Sequence, residues 1–203
     1  MVPATDTPAG SVWSAAHRTT TTAIVAVVLL VAFEAYAVVT AMPVAAQALG
    51  GVRDYGLAFS LFMTTSLLGI VLAGGWNDRH GPAAPMLIGL ATFAVGLVLC
   101  GLAGSFAVLL AGRAVSGLGA GLEMVSLYVL VAGAYPDQLQ PRVFGVISAG
   151  WVLPSLIGPP IAGFLATQIS WRAVFLAVPP LVALPLPVLT ARLRALRPTE
   201  PPA

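Results

Sequence analysis

Three ionisable side chains lie where apolar residues dominate. Glu34 sits in VVLLVAFEAYAVVTAMP (27–43), and Arg113 and Glu123 sit in the run that begins at Phe106. At the centre of a lipid-facing helix each would cost roughly 2.5–3.5 kcal/mol, so such residues face a bundle interior or a wet cavity and are often paired. A carboxylate held there can exchange a proton or meet a cation. Burial opposes its charge and a nearby arginine favours it, so a partner can poise Glu34 between the two states. Helical rise puts Glu34 about 16 Å and Arg113 about 20 Å from the same membrane face, within about one turn of each other. A Glu34–Arg113 pair is therefore geometrically open, as a structural salt bridge or as a proton-handling site. Glu123, about 15 Å further along the same helix, is a second candidate for a proton or cationic group, or an acid near the interface.

The elements that position these groups follow from composition. The chain has 203 residues, 59% hydrophobic and 8% charged, with mean hydropathy +0.97. Soluble domains carry about 25% charged residues, so the sequence reads as an all-α integral membrane protein. Every basic residue is Arg, and no clustered basic face points to nucleic acid. Cys100 has no partner for an intrachain disulfide. Six apolar segments, about 23–46, 57–75, 85–103, 106–134, 143–166 and 172–192, approach the ~20 residues that cross a bilayer. Turn chemistry separates them: GGVRDYG, GGWNDRHGPAAP, GLAGS, YPDQLQPR and TQISWR. Runs this long without alternation exclude a barrel. The expected organisation is a polar cytoplasmic segment over 1–22, a six-helix domain over 23–192 and an Arg/Pro-rich cytoplasmic tail over 193–203. The first apolar run is too long for a signal-peptide core and has no small-residue cleavage site, so it is read as retained. Arg18, Arg79, Arg142, Arg192, Arg194 and Arg197 fall on one side, against Arg53 and Arg172 on the other. The positive-inside rule then places both termini in the cytoplasm of a multi-pass cell-membrane protein.

The loops carry a pattern. GGWNDRHG resembles the G-x-x-x-D-R-x-G signature between the second and third helices of the major facilitator superfamily, through Gly74, Asp78, Arg79 and Gly81. Pro82 and Ala83 stand where that family usually has basic residues. GRAVSGLGAG is similar to its fourth-helix R-x-x-x-G-x-G motif, through Arg113, Gly117 and Gly119. FGVISAGWVLPSLIGPPIAG resembles its fifth-helix antiporter signature, through Gly145, Gly158, Pro159 and Gly163, with Pro154 and Ala162 where glycines are usual. Glu34, seven residues before the AMP triplet, aligns with the first-helix acid of the drug:proton antiporter branch. The resemblance covers about 30–175.

It implies one six-helix half bundle built as a three-plus-three inverted repeat. It also implies proton-coupled export of small amphipathic or cationic compounds by alternating access, with no enzyme activity and the proton gradient in place of any cofactor. Proton and substrate binding would then fall to Glu34, Arg113, Glu123, Tyr36 and Met124. Gating would fall to Gly74, Asp78, Arg79, Gly81, Gly145, Pro154, Gly158, Pro159 and Gly163. Pro154 and Pro159 remove intrahelical hydrogen bonds and should kink the fifth helix. Asp78 with Arg79 would link the second helix to a neighbouring helix end, or form a solvated pair. Family members usually have twelve helices, so a second half is expected. Six helices alone would leave Glu34 and Arg113 facing lipid, and something must cover them. The candidates are a parallel homodimer, a separately encoded half, or truncation; the polar Pro-rich ending reads as a natural terminus and favours the homodimer.

Two other classes compete. Six helices and AVSG (114–117) match a rhomboid-type serine protease superficially. That chemistry needs an embedded general base, and His17 and His80 fall outside the spans. No HExxH, P-loop or Cys/His metal cluster occurs. A non-transporting partner or assembly subunit that kept the fold is the remaining rival, which Glu34→Gln would discriminate.

Overall fold

The computed structural model describes residues 11–195, which form helices and turns. The expectations for 1–10 and for 196–203, Arg197 included, lie outside the described residues. Four unbroken helices come first: α1 (Arg18–Ala48), α2 (Gly56–His80), α3 (Ala83–Gly101) and α4 (Phe106–Ala134). α1 begins at Arg18 rather than 23, because its threonines fit a helical start. Thr21 Oγ1 donates to the carbonyls of Val12 (2.7 Å) and His17 (3.1 Å). α2 continues to His80 rather than 75, so Asp78 and Arg79 occupy its last turn instead of a loop.

Gly81 ends α2. Its φ of 72° and ψ of 175° lie in a region open essentially to glycine alone, and extended ψ suits a residue before proline. Gly81→Ala is expected to cost about 1–2 kcal/mol, read as a lowered unfolding midpoint in detergent. An unchanged midpoint would show that the turn can re-form without glycine.

The fifth and sixth spans are broken where prolines remove donors. α5 (Gln140–Ala149) stops at Gly150, and α6 (Val152–Phe164) restarts after Trp151. Pro154 has no N–H to offer the carbonyl of Gly150, four residues back. Pro159 and Pro160 lie inside α6, which stays helical and runs into a π-helical turn, Leu165–Ser170. The kink thus falls at the first proline and not at Pro159. The backbone is extended at Ser170, whose Oγ accepts from the Arg172 N–H at 3.2 Å. The expected single helix over 172–192 is three pieces, α7 (Trp171–Leu176), α8 (Val178–Val182) and α9 (Leu186–Ala195). Pro179, Pro180, Pro185 and Pro187 account for the interruptions. Five segments are long and apolar enough to cross a membrane, 18–48, 56–80, 83–101, 106–134 and 140–176, with a shorter apolar stretch over 178–191.

α4 lies between α2 and α3, and its glycines set both separations. A Cβ on Gly121 would fall 2.0 Å from the Ser66 carbonyl oxygen of α2; one on Gly119 would fall 2.2 Å from the Phe93 nitrogen of α3. Small residues let helix backbones approach this closely in a membrane. α6 runs beside α1, with Gly158 against Tyr36 and Gly163 against Thr40. Polar ties close each end. Thr21 Oγ1 and the Tyr135 hydroxyl share a 2.8 Å hydrogen bond, with His17 stacked on the Tyr135 ring. At the opposite end Arg172 Nη2 donates to the Ala103 carbonyl at 2.7 Å.

Candidate functional site

Glu34 is carried by α1 on a face of small residues, Ala37 and Ala41 among them, all buried. Arg113 is carried by α4 on the turn that includes Gly112, Ser116 and Gly117. The two meet: Arg113 Nη1 donates to Glu34 Oε1, the one ion pair among the described residues. The guanidinium also lies over the Phe62 ring of α2, 4.2 Å from its centroid, a cation–π contact that strengthens as water is excluded. Three helices therefore converge on one cation.

Glu34 is 1% exposed and Arg113 3%. This corrects the expectation that six helices alone leave the pair facing lipid. The helices packed around it cover it, the Phe62 ring of α2 lying over the guanidinium, so no second unit is needed to cover it. The pair is single-pronged. Glu34 Oε2 and Arg113 Nε are buried without a hydrogen-bond partner.

Glu123 is held elsewhere. It is 3% exposed, has no ion-pair partner among the described residues, and its Oε2 is buried without a hydrogen bond. It borders a cavity of about 20 Å³ with Met124, Tyr128, Val28, Ile147 and Trp151, room for about one water. Tyr36 meets Trp151 edge-on, with centroids 6.4 Å apart. Met124 and Tyr36 thus gather around Glu123 and Trp151.

The residues expected to gate are scattered. Asp78 and Arg79 are exposed and make no ion pair among the described residues. The tie between α2 and α4 is made instead by Asn77, whose Nδ2 donates to Ser126 Oγ at 3.1 Å and to the Ala73 carbonyl at 2.7 Å. Gly74 and Gly145 have open space where a side chain would project, whereas Pro154 and Gly158 are buried, Gly158 against Tyr36 of α1. Sequence reasoning missed Phe62, Asn77, the Thr21–Tyr135 bond and Trp151. Asn77 alone carried a signal, as a polar residue within helical reach of an apolar run.

The Major Facilitator Superfamily profile matches residues 24–203. The chain is 33% identical over 181 residues to an uncharacterised MFS-type transporter of Mycobacterium tuberculosis, an overlap of 89% of this chain and 26% of that protein. It is 28% identical over 159 residues to Multidrug resistance protein 3 of Bacillus subtilis, covering 78% and 31%. With Multidrug resistance protein Stp of M. tuberculosis it shares 34% over 136 residues, covering 66% and 24%. The chain spans about a quarter to a third of the length of these curated relatives. Their names point to transport and away from enzyme chemistry. The match of the family profile to nearly all of an all-helical, multi-pass bundle shows that this chain belongs to the Major Facilitator Superfamily.

Proposed function

We propose that the chain is a half-size unit of a proton-coupled exporter of small amphipathic or cationic compounds, with Glu34 as the acid that exchanges the proton. The observation that carries this reading is the buried, single-pronged Glu34–Arg113 pair joining α1 to α4. Protonating the free Oε2 cancels the charge that holds Arg113, which loosens α1 from α4; deprotonation restores the hold. A switch of this kind couples proton occupancy to helix position, as alternating access requires. Glu123, with its small cavity, serves as a second protonatable group or as the contact for a cationic substrate. The named activities of two relatives, multidrug resistance proteins by title, support the substrate class.

In this reading the unit works with a second six-helix unit. Viewed down α2 at about 100° per residue, Phe62, Ser66, Gly69, Ala73 and Asn77 face α4. Met63, Leu67, Gly74 and Asp78 lie on one flank, with Met63 and Leu67 both 64% exposed. Gly74 has open space there, so another helix can approach closely. A second copy related by a two-fold axis is the simplest occupant, in the cell membrane with both termini cytoplasmic.

The test is transport in proteoliposomes under an imposed pH gradient, with a lipophilic fluorescent cation as probe. Glu34→Gln is expected to abolish proton-driven accumulation while leaving the protein folded. Normal driven transport by Glu34→Gln would end the mechanism. A native mass corresponding to one chain would end the second-copy assignment but not the proton-coupled reading.

A further inference from the structure

The flank of α2 opposite Gly74 and Asp78 does something different. Leu72, Gly75, Trp76 and Arg79 lie there, and between them and α3 runs a groove of about 590 Å³ floored by Leu118 and Leu122 of α4. α2 and α3 both pack on α4 yet barely touch each other, so they splay into a V above its surface. The walls are apolar and outward-facing: Leu72 is 50% exposed and Ile88 45%. One end changes character. At the α2–α3 turn the groove is rimmed by Trp76, Arg79 and His80.

The apolar wall on α2, Val71 to Gly75, is about 6 Å long and ends at Trp76, Arg79 and His80. An aromatic and basic rim at the end of an apolar groove suits the membrane interface, where Trp is favoured. Arg79 is exposed and unpaired among the described residues. Asp78 does not neutralise this rim, because it lies on the other flank of α2. An arginine fork free at that level suits a phosphate.

We propose that the groove between α2 and α3 binds an anionic phospholipid, its acyl chain along Leu72, Ile88 and Leu122 and its phosphate on Arg79. The site is separate from the flank at Gly74 assigned to a second unit, and it does not depend on what is transported. A lipid wedged there props α2 away from α3 and holds the V open.

Native mass spectrometry of the purified full chain, titrated with phosphatidylglycerol or phosphatidylcholine of identical chains, tests this. Phosphatidylglycerol is expected to bind about fivefold more tightly, the factor for one basic residue near a charged headgroup. Arg79→Gln should bring the two lipids to parity. Leu72→Trp, which fills the groove and leaves the charge, should weaken both. Leu67→Trp on the opposite flank should change neither, and circular dichroism reports whether each variant is folded. Equal binding of the two lipids by the unaltered chain overturns the proposal, as does equal weakening by Leu67→Trp and Leu72→Trp. Displacement of the lipid by an equal concentration of inorganic phosphate would reduce the site to a headgroup contact and overturn the groove assignment.

Discussion

Arg113→Ala is expected to destabilise the bundle by about 3–5 kcal/mol, the usual consequence of removing one partner from a buried ion pair. The variant leaves Glu34 buried, 1% exposed, with neither of its oxygens matched to a cation. It also removes the guanidinium that Phe62 faces from α2, so helices on both sides of α4 lose a contact. Replacing both partners by apolar residues of similar volume behaves differently, because the desolvation cost disappears with the charges. Glu34→Leu combined with Arg113→Met should therefore unfold within about 1 kcal/mol of the unaltered chain, or later. Unfolding in detergent, followed by circular dichroism for the two singles and the double, measures the coupling between them. If the double is as unstable as Arg113→Ala, the pair is not what holds α1 to α4. On the proposed proton-exchange reading the same double would be inactive in transport, since stability and proton handling then place opposite demands on the pair.

The second large effect is steric. Gly121→Val places a Cβ at a point 2.0 Å from the Ser66 carbonyl oxygen, and the contact is backbone, which cannot turn aside. α2 must move away from α4 along much of its length, taking with it the Asn77–Ser126 hydrogen bond and the Phe62–Arg113 contact. Overpacking of this kind costs about 1–3 kcal/mol and sometimes more, and Gly121→Val belongs at the upper end. Gly145→Ala makes the matched comparison, because it meets open space and gains helix propensity of up to about 1 kcal/mol. A stable Gly121→Val with an unstable Gly145→Ala would reverse the assignment of α4 as the packed centre.

The first four helices were legible because hydropathy and turn residues agree on them, and bilayer thickness limits their length. The Glu34–Arg113 encounter was legible for a related reason. Two charges at matching depth in hydrocarbon have few other places to go. The complete burial of that pair was not legible, since it depends on how all the helices assemble around it. Phe62 gave no sign of its role: an aromatic in an apolar run looks the same whether it meets lipid or a guanidinium. The sixth span failed for a different reason. A hydropathy window scores Pro179, Pro180, Pro185 and Pro187 by their greasiness, whereas the helix responds to the N–H groups they lack. Pro154 shows the converse, a kink correctly read from one missing donor. Asp78 and Arg79 carried the family pattern, yet the neighbouring Asn77 makes the bond to α4.

The break at Gly150 has a mechanical consequence. Trp151, the first residue beyond it, presses on Tyr36 and forms a wall of the small cavity beside Glu123. A change of angle at this joint would move the indole that walls this cavity. In an alternating-access cycle, that one joint would set both the shape of the bundle and the hydration of the acid inside it.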